Sequence, residues 1–133
     1  MTHIAPLANA EAGQVEGGLE ILQELIAWTE RSGQRWLDVE LHRSRGELLL
    51  RLDPPRVTSA EEAFHKALEI ARIQQTKTFE LRSAIGLAHL YNANGRAGSV
   101  FGVLAPILAD FDRKQDLPEI KDAESLLTHK SVA

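Results

Sequence analysis

Histidine–carboxylate pairs are the first residues to weigh, because these side chains bind metals and transfer protons. Glu62 and His65 lie three residues apart, a spacing that places both on one face of a helix. A di-iron helical bundle needs two such pairs and two further carboxylates, and only one pair is evident. The pair therefore predicts a solvated helix face. A metal-dependent helical-bundle enzyme that uses Glu62, His65 and further ligands is kept as an alternative.

Other candidate catalytic residues have no suitable partners. Histidine as a residue type titrates near neutral pH, but no activated serine or paired acid accompanies His42 or His89. The glycine-rich segment 95–99 lacks the spacing and the Lys-Ser/Thr of a phosphate-binding loop, so it predicts a turn between helices. The chain has no cysteine, which excludes thiolate nucleophiles and cysteine-ligated metals. We therefore expect no catalytic residue, no cofactor and no metal.

Composition predicts one helical domain over residues 1–133. Apolar residues make up 44% of the chain and aromatic residues only 5%, a balance that favours helices over sheets. The formal net charge is −4, so we expect no nucleic-acid partner. The N-terminus lacks the pattern of a secretion signal, and no apolar run reaches the roughly 18 residues needed to span a membrane. These features predict a cytoplasmic protein with no membrane partner.

Turn signals divide the chain into seven predicted helices with no strand. Gly33 is expected to end one helix in a left-handed conformation, and Ser59 with Glu62 matches a capping box at the start of another. Pro106 should kink its helix or mark the first turn. The predicted helices span roughly 4–12, 15–31, 36–52, 59–74, 78–92, 98–111 and the residues from Asp116 onward.

Apolar faces of these helices indicate where they pack. One stripe consists of small residues around a single ring, namely Ala60, Ala63, Phe64, Ala67 and Ala71. The last helix carries a second apolar face, namely Ile120, Ala123, Leu126 and Leu127. Trp28 and Trp36 flank the turn at Ser32–Gly33, and we interpret them as packing groups of a helical hairpin rather than as an interface.

The sequence also repeats itself. Residues 40–50 return in altered form as residues 80–90, with Glu, Leu and Gly at one shared spacing of about 40 residues. The repeated glycines are Gly46 and Gly86. Self-similarity at this period is typical of stacked repeat proteins, which supply binding surfaces more often than reaction chemistry.

The pattern resembles the tetratricopeptide repeat (TPR) family. Gly46 is followed by Ala60, Phe64 and Ala67, and Gly86 by Ala97, Phe101 and Leu104, as in the two helices of that family's hairpin. The resemblance implies an all-α, TPR-like right-handed solenoid of stacked antiparallel hairpins. Its approximate units are 1–35, 36–77 and 78–114, followed by a capping helix over 116–128.

A closer resemblance covers most of the chain. Residues 33–36, 40–49, 60–71, 104–106 and Phe111 are similar to the C-terminal repeat region of large bacterial signalling proteins. Those proteins join a nucleotide-cyclase or DNA-binding output domain and an NTPase module to such repeats. The resemblance implies a regulatory or scaffolding segment, and an alternative is that the chain is a fragment of such a larger protein.

A partner-binding groove follows from the TPR resemblance, in which the first helix of each hairpin lines the concave surface. Counted from the two repeated glycines, the groove positions are Glu40, Arg43, Glu47, Arg51, Glu80, Ser83, Leu87 and Tyr91. The charged members of the first set also have the spacing of ion pairs on a wet helix face. Glu47 would repel a terminal carboxylate, so we expect a protein or peptide partner of mixed charge.

Self-association is the structural alternative. Only about twelve residues precede Gly13, so the first hairpin is expected to be truncated. An incomplete repeat leaves an apolar end, which another copy of the chain can cover as a homo-oligomer.

Overall fold

The computed structural model describes the backbone of residues 4–111 and 117–132, and the side chains of residues 13–111 and 117–128. These residues form six α-helices and one short 3-10 helix at Ala97–Ser99, with no strand among them. The helices are α1 (Ile4–Ser32), α2 (Asp38–Arg51), α3 (Val57–Gln74), α4 (Lys77–Ala93), α5 (Val100–Leu108) and α6 (Pro118–Val132). The predicted all-α class is confirmed.

The predicted break near Gly13 is wrong. α1 runs through Gly13, Gly17 and Gly18 as one helix of 29 residues, so six helices replace the seven expected. Glycine weakens a helix by about 1 kcal/mol relative to alanine, but it keeps its N–H donor and causes no clash. It therefore permits a helix to continue where proline would end it, and the described residues 4–32 form one helix in place of the short helix and turn expected there.

Of the predicted helix ends, the one at Gly33 is confirmed and the one at Ser59 is wrong. Gly33 ends α1 with φ of 76°, as expected, and its N–H donates to the Thr29 carbonyl at 3.0 Å. The capping box at Ser59 is wrong, because α3 begins at Val57 and the Ala60 N–H donates to the Arg56 carbonyl at 2.9 Å. The predicted start at Asp116 lies outside the described residues, and Pro106 lies inside α5.

α4 lies at the centre of the fold. It packs against α2, α3, α5 and α6, whereas α1 packs chiefly against α2. A helix that is apolar on most sides is expected to be buried, and apart from Arg82 and His89 α4 has this character from Leu81 to Tyr91. Its buried side chains are Leu81, Ser83, Ala84, Ile85, Leu87, Ala88, Leu90 and Tyr91.

The two repeated glycines flank one phenylalanine ring. Phe64 of α3 is completely buried, with Gly46 of α2 on one side and Gly86 of α4 on the other. A Cβ atom at Gly46 would lie 2.9 Å from Phe64 Cε2, and a Cβ at Gly86 would lie 2.9 Å from Cζ and closer still to Cε1. The repeat in the sequence therefore allows both helices to approach the same ring.

Most of the predicted apolar faces are confirmed. All five members of the α3 stripe are buried, and so are Ile120, Ala123 and Leu126 of α6. The interpretation of the tryptophans as packing groups is wrong, since Trp28 is 46% exposed and Trp36 is 65% exposed. Both lie beside the open turn between α1 and α2, and α1 has α2 as its main neighbour. No helix in the described part of the chain has the length and apolar character needed to cross a membrane.

Candidate functional site

A continuous strip of charged side chains crosses three helices. Arg43 of α2 donates to Glu40 at 2.8 Å and to Glu47 at 2.9 Å. Arg82 of α4 then donates to Glu40 at 3.2 Å and to Glu119 of α6 at 2.8 Å. We call these five residues the charged strip. Its three carboxylates and two guanidinium groups give a net charge of −1.

The strip favours the ionised form of two of its carboxylates, Glu40 and Glu119. Burial alone would raise the pKa of Glu40, but hydrogen bonds and positive charge from Arg43 and Arg82 outweigh burial and lower that pKa. The hydrogen bond from Arg82 likewise lowers the pKa of Glu119. The side chains of Glu47 and Arg82 are 52% and 38% exposed, so these two are the most accessible to a partner.

Only three of the eight predicted groove residues come together in this strip. Glu40, Arg43 and Glu47 do so, while Arg51 is exposed at the end of α2. Glu80 instead accepts a hydrogen bond from Arg72 of α3 at 2.9 Å. The four predicted positions on α2 therefore lie at the surface. Glu80 instead belongs to a contact between α3 and α4.

The other three predicted groove residues are buried, which corrects the expectation that they face a partner. Ser83 and Leu87 are completely buried and Tyr91 is 7% exposed. Counting from Gly86 placed them on an open face, but α5 and α6 both pack against α4 and leave little of it uncovered. Ser83 and Leu87 are therefore part of the packed interior.

Two members of the strip, Arg82 and Glu119, were missed by the sequence reasoning. The repeat aligns Arg82 with His42 rather than with Arg43, so it was counted one position away from the groove. A signal was present nonetheless, because Arg82 is the one Lys or Arg of α4 after its first residue. A lone cation on an otherwise apolar helix needs acidic neighbours, and it finds them on α2 and α6.

A second polar cluster joins α3 to the turn after α4. The Tyr91 hydroxyl donates to Glu61 at 3.1 Å, and Arg96 donates to the other oxygen of Glu61 at 2.7 Å. The Arg96 guanidinium also stacks over the Tyr91 ring, 4.4 Å from its centroid. Burial raises the pKa of Tyr91, and the bond to Glu61 raises it further, so the phenol stays neutral. The cluster fixes the turn.

The remaining candidate residues have ordinary surroundings. His65 lies 3.6 Å from Glu61 and 3.4 Å from the Tyr91 hydroxyl, so its described polar contacts are with these two residues rather than with Glu62. Among residues the structure describes, no three His, Asp or Glu side chains are grouped as a metal site.

Segment 95–99 forms the turn between α4 and α5, with Gly95 at φ of 74°, as predicted. Burial lowers the pKa of His42.

Comparisons of the chain with models of protein families, with curated protein sequences and with solved structures gave no match. Function is therefore inferred from the contacts and charges of the chain's own residues.

Proposed function

We propose that the protein is a non-catalytic interaction or scaffold module, in which TPR-like stacked hairpins present the charged strip to a partner segment. In this arrangement α2 and α3 form one hairpin, α4 and α5 form the next, and α6 caps the stack. The curvature is that of a right-handed solenoid. The single observation that carries the proposal is the strip itself, which runs across the first helices of successive hairpins.

The shared ring contact supports the stacked arrangement. Phe64 lies between Gly46 and Gly86, the two positions that recur at one period in the sequence. Each hairpin of a repeat protein buries its apolar face against its neighbour. A single aromatic ring seated on two successive first helices provides such a contact, and it holds α2 and α4 side by side with little freedom to move.

The charges of the strip define the partner. Arg43 and Arg82 are each held between two carboxylates, so an acidic group on a partner must compete with bonds of 2.8–3.2 Å. Glu47 is the most exposed member of the strip. A basic side chain therefore meets an accessible carboxylate, while acidic side chains have only the exposed edges of the two guanidinium groups. The partner is an extended segment of mixed charge with a basic excess.

Selection from a displayed random-peptide library against the full chain tests this proposal. Peptides enriched in Lys and Arg and containing at least one acidic residue are expected. Their affinity should fall about tenfold with Glu47→Arg, since a surface charge reversal replaces an attraction with a repulsion of similar size. Arg43→Glu removes the guanidinium available to an acidic residue of the peptide, so peptides selected against this variant should lose their acidic residue.

Lys66→Glu is the matched control. It reverses a charge on the exposed side of α3, where Lys66 makes one long ion pair with Glu69 at 3.5 Å. Circular dichroism and the unfolding midpoint establish that each variant is folded before its affinity is compared. Equal losses for Glu47→Arg and Lys66→Glu would contradict the proposed surface, and a failure to enrich any peptide would contradict the binding function.

A further inference from the structure

The outward face of α1 carries apolar side chains that nothing in the described part of the chain covers. Ile21, Leu25 and Trp28 follow one another at intervals of four and three residues, and they are 60%, 43% and 46% exposed. Together with Glu24, Ala27 and Arg31 they line one shallow depression. Exposed apolar residues that occur singly are normal, but a continuous stripe along one helix marks an interaction surface.

Two glycines extend this stripe toward the N-terminus of α1. Gly13 and Gly17 precede Ile21 at intervals of four residues, and a Cβ atom at either would meet no described atom within 4 Å. Glycine inside a helix weakens it. At Gly46 and Gly86 this loss of helix stability is offset by a close contact with Phe64. Gly13 and Gly17 have no such contact within the described chain.

The N-terminal part of α1 extends beyond α2. α1 has 29 residues and α2 only 14, so α1 is about 22 Å longer at 1.5 Å per residue. A Cβ at Gly18 would lie 3.1 Å from Leu48, near the C-terminal end of α2. Residues of α1 before Gly18 therefore extend past the end of their main neighbour.

The other end of the fold cannot serve as the cover. In the described part of α6 after Pro118 the exposed side chains are polar, and a head-to-tail array would press the apolar face of α1 against them. The exposed members are Lys121, Asp122, Glu124, Ser125 and Thr128. Pairing of the α1 face with the same face of a second copy instead joins apolar to apolar surface and closes after two chains.

Charge on the α1 face is self-complementary. Glu24 and Arg31 lie seven residues apart, two turns along the same face, and neither forms an ion pair with a described residue. When two copies of α1 lie antiparallel about an axis beside Ala27 and Trp28, Glu24 of each copy is opposite Arg31 of the other. The same register places Ile21 beside the α1–α2 turn of the second copy, where Trp36 is 65% exposed, and leaves Gly13 and Gly17 outside the paired segment.

We propose that α1 is a homodimer interface, in which two copies pair antiparallel through Ile21, Leu25 and Trp28 with reciprocal Glu24–Arg31 ion pairs. This surface is separate from the charged strip, so the inference stands whether or not the strip binds a partner. Because both chains bring the same face, the two-fold axis doubles every contact, including the ion pairs.

A charge-swap experiment on the full chain tests both the partner and the register. Sedimentation equilibrium from low micromolar to near-millimolar concentration should show a monomer–dimer equilibrium for the wild type. Glu24→Arg alone and Arg31→Glu alone should each weaken the homodimer about tenfold, since each change alters two symmetric pairs. An equimolar mixture of the two variants should recover dimer, because both cross-pairs are then attractive.

Matched controls locate the interface. Ile21→Asp should abolish the dimer, while Ile73→Asp, at a residue 75% exposed on α3, should leave it unchanged. In a Trp36→Phe background, the emission of Trp28 should shift to shorter wavelength as the concentration rises. A wild type that stays monomeric throughout overturns the proposal. A dimer that responds equally to both aspartate variants, or a mixture that fails to recover dimer, also overturns it.

Discussion

Replacement of Gly86 by alanine should destabilise the protein, against the usual effect of that change in a helix. Helix propensity alone predicts a gain of about 1 kcal/mol for alanine over glycine. In this structure the new Cβ would lie 2.9 Å from Phe64 Cζ and closer still to Cε1. The ring has little room to move away, because α2 lies close on its other side, where even an added Cβ at Gly46 would be only 2.9 Å from the ring.

The magnitude follows from the two opposing effects. Extra atoms in a closely packed core cost about 1–3 kcal/mol, and the rigid, fully buried ring places this site in the upper part of that range. After the gain in propensity is subtracted, Gly86→Ala should lower the free energy of unfolding by about 1–2 kcal/mol. Gly102→Ala in α5 is the matched control, since its Cβ would meet no described atom within 4 Å. It should raise the free energy of unfolding by about 0.5–1 kcal/mol.

Urea unfolding followed by circular dichroism measures this difference. The two variants should differ by about 1.5–3 kcal/mol, which corresponds to midpoints roughly 1 M apart in urea. Phe64→Leu removes the ring, so the cost of Gly86→Ala should shrink by about 1 kcal/mol in that background. A Gly86→Ala midpoint as high as that of Gly102→Ala would refute the close ring contact, and so would an unchanged cost in the Phe64→Leu protein.

Three further predictions concern a strained residue and two titrating sites. Gln75 has φ of 60°, so Gln75→Gly should raise the free energy of unfolding by about 0.5–1 kcal/mol in urea unfolding. The lowered pKa values of Glu40 and Glu119 stabilise the fold above their ordinary pKa of 4.5, and this contribution is lost as the pH falls through the folded-state values. Arg82→Gln should therefore make the decline in stability below that pH shallower, and an unchanged slope would count against the strip. Burial lowers the pKa of His42 below its ordinary 6.5, so stability should decline as the pH drops below 6.5; His42→Gln should flatten that decline in unfolding curves measured across this range.

Local patterns in the sequence were enough to predict those helices whose apolar face or terminating glycine is clear. The small-residue stripe identified the buried face of α3, and the glycine after Ser32 identified the end of α1. Both features depend on residues close together in the chain. The break at Gly13 could not be decided in this way, because a glycine is compatible with a turn and with a helix interior alike.

The site depended on contacts between distant parts of the chain. Counting from Gly46 identified Glu40, Arg43 and Glu47, since their spacing on α2 alone makes them neighbours. The same counting from Gly86 failed for Ser83 and Leu87. These two are covered because α4 is surrounded by four other helices, a fact that a single helix pattern does not contain. The bonds from Arg82 to Glu40 and to Glu119 span 42 and 37 residues, beyond the reach of local spacing.

The central claim is that a partner segment binds on the charged strip. Backbone amide chemical shifts of the labelled full chain, recorded during titration with a display-selected peptide, test it most directly. The account predicts that the largest changes occur from Glu40 to Glu47, at Arg82 and at Glu119, with little change around Lys66 on the exposed side of α3. Changes concentrated around Lys66, or around Phe101 on α5, would contradict it.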